Sequence, residues 1–169
     1  MQADRFTVKS QEALAAAQRL AGARRSPEVA PPHLLLALLE QEGGIVAPVL
    51  RRAGAEPERV RRGANEAADQ LPTVTGEASA TPALGSALID LLKRADDEAR
   101  GMGDEYVSSE HLLLALAADP QIDVGASRDQ LLDAVQAVRG PHRVTDQNPE
   151  DKYQALETYG RDLLSLIHI

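Results

Sequence analysis

Four histidines, three lysines and a few serines are the side chains of this 169-residue chain best suited to proton transfer, phosphate binding or nucleophilic attack. Their spacing disfavours most of that chemistry. His33, His111, His142 and His168 are scattered, with no His-x-x-x-His pair, and there is no cysteine, so neither an imidazole nor a thiolate metal site is expected. Lys9, Lys93 and Lys152 do not follow glycine in the spacing of a phosphate cradle, so this chain is expected to carry no cofactor and to hydrolyse no ATP. His33 and His111 are the tempting pair, because both precede the same Leu-rich hexamer. Each falls in the first turn of its helix, where an imidazole commonly bonds a backbone group. The favoured reading is a structural histidine, with a hydrolase using His33 or His111 as the alternative. Ser108, Ser109 and Glu110 read the same way, as helix-start chemistry in which a carboxylate is favoured by the helix dipole.

The elements that position these groups come in two copies. His33-Leu34-Leu35-Leu36-Ala37-Leu38 returns as His111-Leu112-Leu113-Leu114-Ala115-Leu116, and the same register lays Leu14 on Leu92, Ala17 on Ala95, Ala21 on Ala99 and Val29 on Val107. Internal repetition decides the fold before any local propensity does, and two copies are too few for an open solenoid. The expectation is an all-α domain of two pseudo-twofold-related helical repeats, repeat one about 1–71 and repeat two about 81–140, packed on each other along a seam.

Within repeat one, Thr7 caps a helix running to about Arg24, with Val8, Ala13, Leu14, Ala17, Leu20 and Ala21 on one face. Pro31-Pro32 opens a central Leu-rich helix to about Gln41. A short third helix carries Ile45, Val46, Val49 and Leu50 and closes at Gly54, and Pro57 starts a fourth with Val60, Ala64, Ala67, Ala68 and Leu71 inward. Leu71 to Ala80 lacks a helical period and reads as a connector. In repeat two, Thr81 with Pro82 is expected to start a helix that buries Leu84, Leu88, Leu91, Leu92, Ala95 and Ala99 and stops at Gly101. Ser108 caps the Leu-rich helix, and Ser127 with Gln130 forms a capping box for a last helix burying Leu131, Leu132, Val135 and Val138. From His33 to Gly54 is 21 positions but from His111 to Gly125 only 14, so the counterpart of the third helix is mostly missing. His142 to Pro149 reads as a polar linker, followed by a helical segment from Asp151 to about Leu164.

A formal net charge of −8 repels phosphates, so nucleic acid is an unexpected partner. Arg24-Arg25 and the stretch Arg51, Arg52, Arg59, Arg61, Arg62 read as solvated helix faces. The amino terminus has no apolar signal core and no run approaches a membrane span, which makes a cytoplasmic protein the expectation. What remains is surface. A seam between helical copies can leave a groove floored by aliphatic side chains, rimmed by the helix starts at Thr7 and Ser108 to Glu110, that takes a peptide. A fully packed seam with acids that keep the domain soluble stands equally open.

Arg5-Phe6-Thr7-Val8-Lys9-Ser10-Gln11-Glu12-Ala13-Leu14, His33 to Leu39, Gln41-Glu42-Gly43-Gly44, Leu71-Pro72-Thr73-Val74-Thr75-Gly76 and Ser108 to Leu113 resemble the amino-terminal Clp repeat domain of ClpB-type AAA+ disaggregases. Tyr153 to Leu163 resembles the segment leading from that domain toward the first ATPase module, so 1–140 would be the Clp repeat domain and 141–163 the linker. The resemblance implies two four-helix repeats and a non-enzymatic role in recognising unfolded or aggregated polypeptide for a hexameric threading motor, in protein refolding under heat stress. ATP belongs to modules absent from this chain. It further implies an Hsp70-type chaperone partner acting through absent domains. By the resemblance Thr7, Asp104 and Glu110 match polar positions of substrate engagement and Leu92 an apolar groove position. The alternatives are an adaptor-docking domain of a ClpA- or ClpC-type protease unfoldase and a free-standing helical binding module. Two departures stand out. The shortened second repeat is expected to open an edge or weaken that half, and residues 164–169 form an atypical tail that suggests truncation or foreign sequence.

Overall fold

The computed structural model describes residues 3–76, 81–140 and 143–149. His142, His168, the helical segment expected from Asp151 to Leu164 and the atypical tail lie outside the described residues. Repeat one holds α1 (Val8–Ala23), the short strand β1 (Glu28–Val29), α2 (Pro31–Glu40), α3 (Val46–Arg52) and α4 (Pro57–Asp69). Repeat two holds β2 (Ala83–Leu84), α5 (Ser86–Gly101), α6 (Ser109–Ala117) and α7 (Arg128–Arg139). The all-α expectation is met.

α1 begins as its sequence dictates. Thr7 lies in extended backbone and its hydroxyl accepts the Ser10 N–H at 3.2 Å, satisfying one donor that the first turn leaves orphaned. Its inward stripe is Ser10, Ala13, Ala17 and Ala21, residues small enough for α2 to lie close. Val8, expected inward, is instead 41% exposed, because the stripe begins two residues later. α2 and α6 are buried over all sides from Pro31 to Leu38 and from Ser109 to Leu116, as central helices must be, and they lie against each other at the middle of the fold.

The start of repeat two corrects the sequence reading. Thr81 does not cap a helix: Ala83 and Leu84 pair in parallel with Glu28 and Val29, and α5 starts at Ser86 with Gly85 as its N-cap. Pro82 suited a helix start locally, but backbone pairing across the repeats holds this stretch extended. The pairing has a twin. Phe6 bridges Val107 in parallel, and the Thr7 N–H donates to the Val107 carbonyl at 3.0 Å just as the Gly85 N–H donates to the Val29 carbonyl at 2.9 Å. The register that carries His33 onto His111 carries Phe6 onto Leu84 and Thr7 onto Gly85, so each repeat lends the other one extended segment. α5 then buries Leu88, Leu91, Leu92, Ala95 and Ala99 as expected. Asp119 to Val124 is irregular, and the capping box of α7 forms with Ser127 and Gln130 exchanging bonds of 2.9 and 3.2 Å.

The seam is filled by α3. Its buried Val46, Val49 and Leu50 face α6 and α7 of the other repeat as well as α2 and α4 of its own. The segment 143–149, read as a linker, turns back instead. The Val144 side chain is fully buried, its carbonyl accepts the Glu105 N–H at 2.8 Å, and the Gln147 carbonyl accepts the Val8 N–H at 2.7 Å. A lone valine in a polar run has no periodicity from which burial could be read. Among the described residues no helix is long and apolar enough to cross a membrane, and no cluster of three or more His, Asp or Glu could hold a metal ion.

Candidate functional site

Both paired histidines sit at the third position of their helices, buried completely. His33 Nδ1 accepts the Ala30 N–H at 2.9 Å and His111 Nδ1 accepts the Ser108 N–H at 2.9 Å. Each imidazole thus does what Glu or Gln does in a capping box, reaching back to the N-cap donor. With Nδ1 an acceptor, the proton of the neutral ring is on Nε2. In repeat one that nitrogen meets Ser26 Oγ at 3.3 Å, and burial, followed by the Arg24 charge, holds His33 below the usual imidazole range. In repeat two it donates to Asp104 Oδ2 at 2.7 Å. Neither ring has a nitrogen left for a substrate in this arrangement.

The two repeats differ most in charge around these histidines. Asp104, Glu110 and Arg139 are all buried, and the Arg139 guanidinium grips Asp104 through two bonds of 2.5 and 2.8 Å and reaches Glu110 Oε1 at 3.3 Å. Burial opposes ionisation of Asp104. The hydrogen bonds from His111, from Arg139 and from the Val144 N–H at 2.9 Å, with the guanidinium charge, outweigh it and hold the carboxyl well below the usual carboxylate range. Glu110 Oε2 is buried with no hydrogen-bond partner. In repeat one the matching positions are the neutral Ser26, Pro32 and Ala68. Asp104 is therefore a junction. It ties the loop before α6 to the end of α7, and its Oδ1 fixes the returning segment 143–149 against the first turn of α1. Gly103 makes the turn before Asp104: its φ is +74°, a backbone conformation that other residues rarely adopt.

The four residues expected at a substrate site, Thr7, Leu92, Asp104 and Glu110, are all buried. Asp104 and Glu110 meet through Arg139, Thr7 caps α1, and Leu92 lies in the inward stripe of α5. The exposed apolar side chains stand one step away: Val8 beside Thr7, and Ile89, 39% exposed, one turn before Leu92. The rim side chains expected of a seam groove, Thr7 and Ser108 to Glu110, are buried. An open hollow of about 640 Å³ lies along α4, lined by Ala55, Arg59, Val60, Arg62, Gly63 and Gly125 among others, and none of the four residues lines it.

Arg139 was missed at the sequence level because it reads as a basic helix end followed by glycine. The signal that finds it is the repeat itself: in the register that carries Gly54 onto Gly125, Arg139 falls on inward-facing Ala68, and a charge at a core position needs partners.

The family described as the Clp repeat (R) N-terminal domain matches residues 5–131. The chain is 40% identical over 174 aligned positions to the chaperone protein ClpB of Bacillus cereus, an alignment that covers 98% of this chain and 20% of that protein. It thus spans about a fifth of the length of such relatives. Among solved structures, the Hsp104 N-terminal domain from Candida albicans superposes with a TM-score of 0.74 at 22% identity, covering 86% of this chain and 98% of that one. A complex of the ClpV N-domain with a VipB peptide superposes with a TM-score of 0.60 at 24% identity, covering 78% of this chain and 85% of that one.

Proposed function

The chain belongs to the Clp repeat (R) N-terminal domain family, and we propose that it is the polypeptide-engaging module of a ClpB-type disaggregase, presenting unfolded or aggregated chains to a hexameric ATP-driven motor. The observation that carries this reading is the match to a ClpB chaperone over 98% of the chain and 20% of the relative, which supports a role as a module of such a machine. The likeness of its fold to an N-domain bound to a peptide supports a binding role, and is consistent with a part played without chemistry of its own. A cytoplasmic location and cooperation of the whole chaperone with an Hsp70-type system belong to the same proposal.

Client contact falls to the first turns of α1 and α5, where Val8 and Ile89 offer apolar surface to water. Thr7, Leu92, Asp104 and Glu110 act beneath it as positioning residues: they cap, pack and brace the backbone that carries the contact surface. Such a surface captures extended chains weakly and with little sequence preference, since each apolar side chain covered contributes up to roughly 1–2 kcal/mol before ordering costs are met. The test is a fluorescence titration of the 169-residue chain with a permanently unfolded polypeptide. Saturable binding weakened about fivefold or more by Val8→Asp together with Ile89→Asp supports the reading. No saturable binding, or the same affinity in the double variant, overturns it.

A further inference from the structure

The hollow along α4 is the berth of a helix that repeat two does not have. α3 packs on α7, and its Arg52 and Ala53 share a small cleft with Gln130, Asp133, Ala134 and Ala137 of α7. The register that carries Gly54 onto Gly125, and the N-cap Glu56 onto the N-cap Ser127, carries Arg59, Arg62, Gly63 and Glu66 of α4 onto those four α7 residues. These four line the hollow. Repeat two dispenses with its own third helix, so the matching face of α4 stands uncovered. Ala134, under α3, is 3% exposed, whereas Gly63 is exposed and a Cβ added there would meet nothing within 4 Å.

We propose that this vacant face of α4 docks a short amphipathic helix from a partner polypeptide, seated as α3 is on α7 and bearing carboxylates where α3 bears Arg51 and Arg52.

The charges argue for that chemistry. α3 places Arg52 on the cleft that Asp133 also lines, and the α4 counterpart of Asp133 is Arg62, with Arg59 in place of Gln130. At these two central positions the sign is reversed, so the occupant carries acid opposite them where α3 carries base. Asp123 also lines the hollow, at the side of the Gly125 loop, where its Oδ1 accepts the Gly125 N–H at 2.8 Å. Glu56 and Glu66 stand at the two ends of the lining with Arg59 and Arg62 between them, which places the occupant's carboxylates centrally. Val60 and Ala55 form the apolar floor that receives the counterparts of Val46, Val49 and Leu50. This face lies on α4, apart from Val8 and Ile89, and stands independently of the client-binding reading.

The probe is a peptide with the sequence of residues 45–53 in which Arg51 and Arg52 are replaced by Glu, extended by helix-favouring flanks, against the same peptide with both arginines kept. Nuclear magnetic resonance titration of the 169-residue chain is expected to show saturable shifts at Arg59, Arg62 and Gly63 with the Glu peptide and binding at least about tenfold weaker with the Arg peptide. Arg62→Glu, an exposed substitution, is expected to reverse the preference. No saturable shift on α4, equal affinity for both peptides, or an Arg62→Glu variant that binds as before overturns the proposal. So does a concentration-dependent dimer of the chain that Arg62→Glu abolishes, since the occupant is then a second copy.

Discussion

Removing the Arg139 side chain tests how the buried cluster is held, and the repeat supplies its own control. Arg139→Ala leaves the Asp104 and Glu110 carboxylates buried without their cation, a loss of about 3–5 kcal/mol by the usual cost of breaking an enclosed pair. Asp104→Ser removes the two bonds that the Arg139 guanidinium makes to this carboxylate and the acceptor of the Val144 N–H, costing about 3 kcal/mol. The double variant reproduces the chemistry that repeat one uses at Ser26 and Ala68, where the same helices pack without charge. It removes both the buried cation and one buried anion, so its cost should be about 2–4 kcal/mol rather than the sum of the single losses, leaving a coupling of about 4 kcal/mol. The measurement is urea unfolding followed by far-ultraviolet circular dichroism on the wild-type chain and the three variants. Additivity to within about 0.5 kcal/mol refutes the reasoning, because it means Asp104 and Arg139 do not depend on each other.

Two further outcomes follow from the helix starts. His33 is held below the usual imidazole range, so its contribution is complete above the unfolded value of about 6.5 and is lost as pH falls through that value, where the unfolded chain takes up a proton the folded ring refuses. His33→Gln keeps an acceptor for the Ala30 N–H and does not titrate, so unfolding midpoints between pH 7 and 5 should fall less in the variant than in the wild type; parallel curves refute the assignment. At the α1 cap, Thr7→Ala is expected to lower stability by about 1 kcal/mol while Thr7→Gly, which copies Gly85 at the start of α5, lowers it by only a few tenths; equal losses in thermal unfolding count against the capping role.

Periodicity and punctuation made most of the helices legible. The Ala13, Ala17, Ala21 stripe, the prolines at the starts of α2 and α4, the Ser127 and Gln130 box, and the lost counterpart of α3 are all local or arise by comparing one half of the chain with the other. Misreadings cluster where a distant segment overrides local preference. Thr81 and Pro82 looked like a helix start, yet the chain nearby pairs with Glu28 and Val29. The polar run after Gly140 looked free, yet Val144 is buried and bonded to Asp104. At the candidate site the sequence named Asp104 and Glu110 but not the Arg139 that joins them, since ion pairing depends on distance in space and a helix end gives no hint of its neighbour.

The sequence by itself determined that there would be two alike helical halves and that one would lack a helix, because side-chain period, caps and repetition act over a few residues or are visible by alignment of the chain with itself. Only the tertiary structure decided that the halves exchange extended segments, that α3 fills the seam, that Thr7 is buried, and that the missing helix leaves an uncovered face on α4. The physical reason is that burial and hydrogen-bond partnership belong to pairs of surfaces, and which surfaces meet is set by packing the whole chain at once.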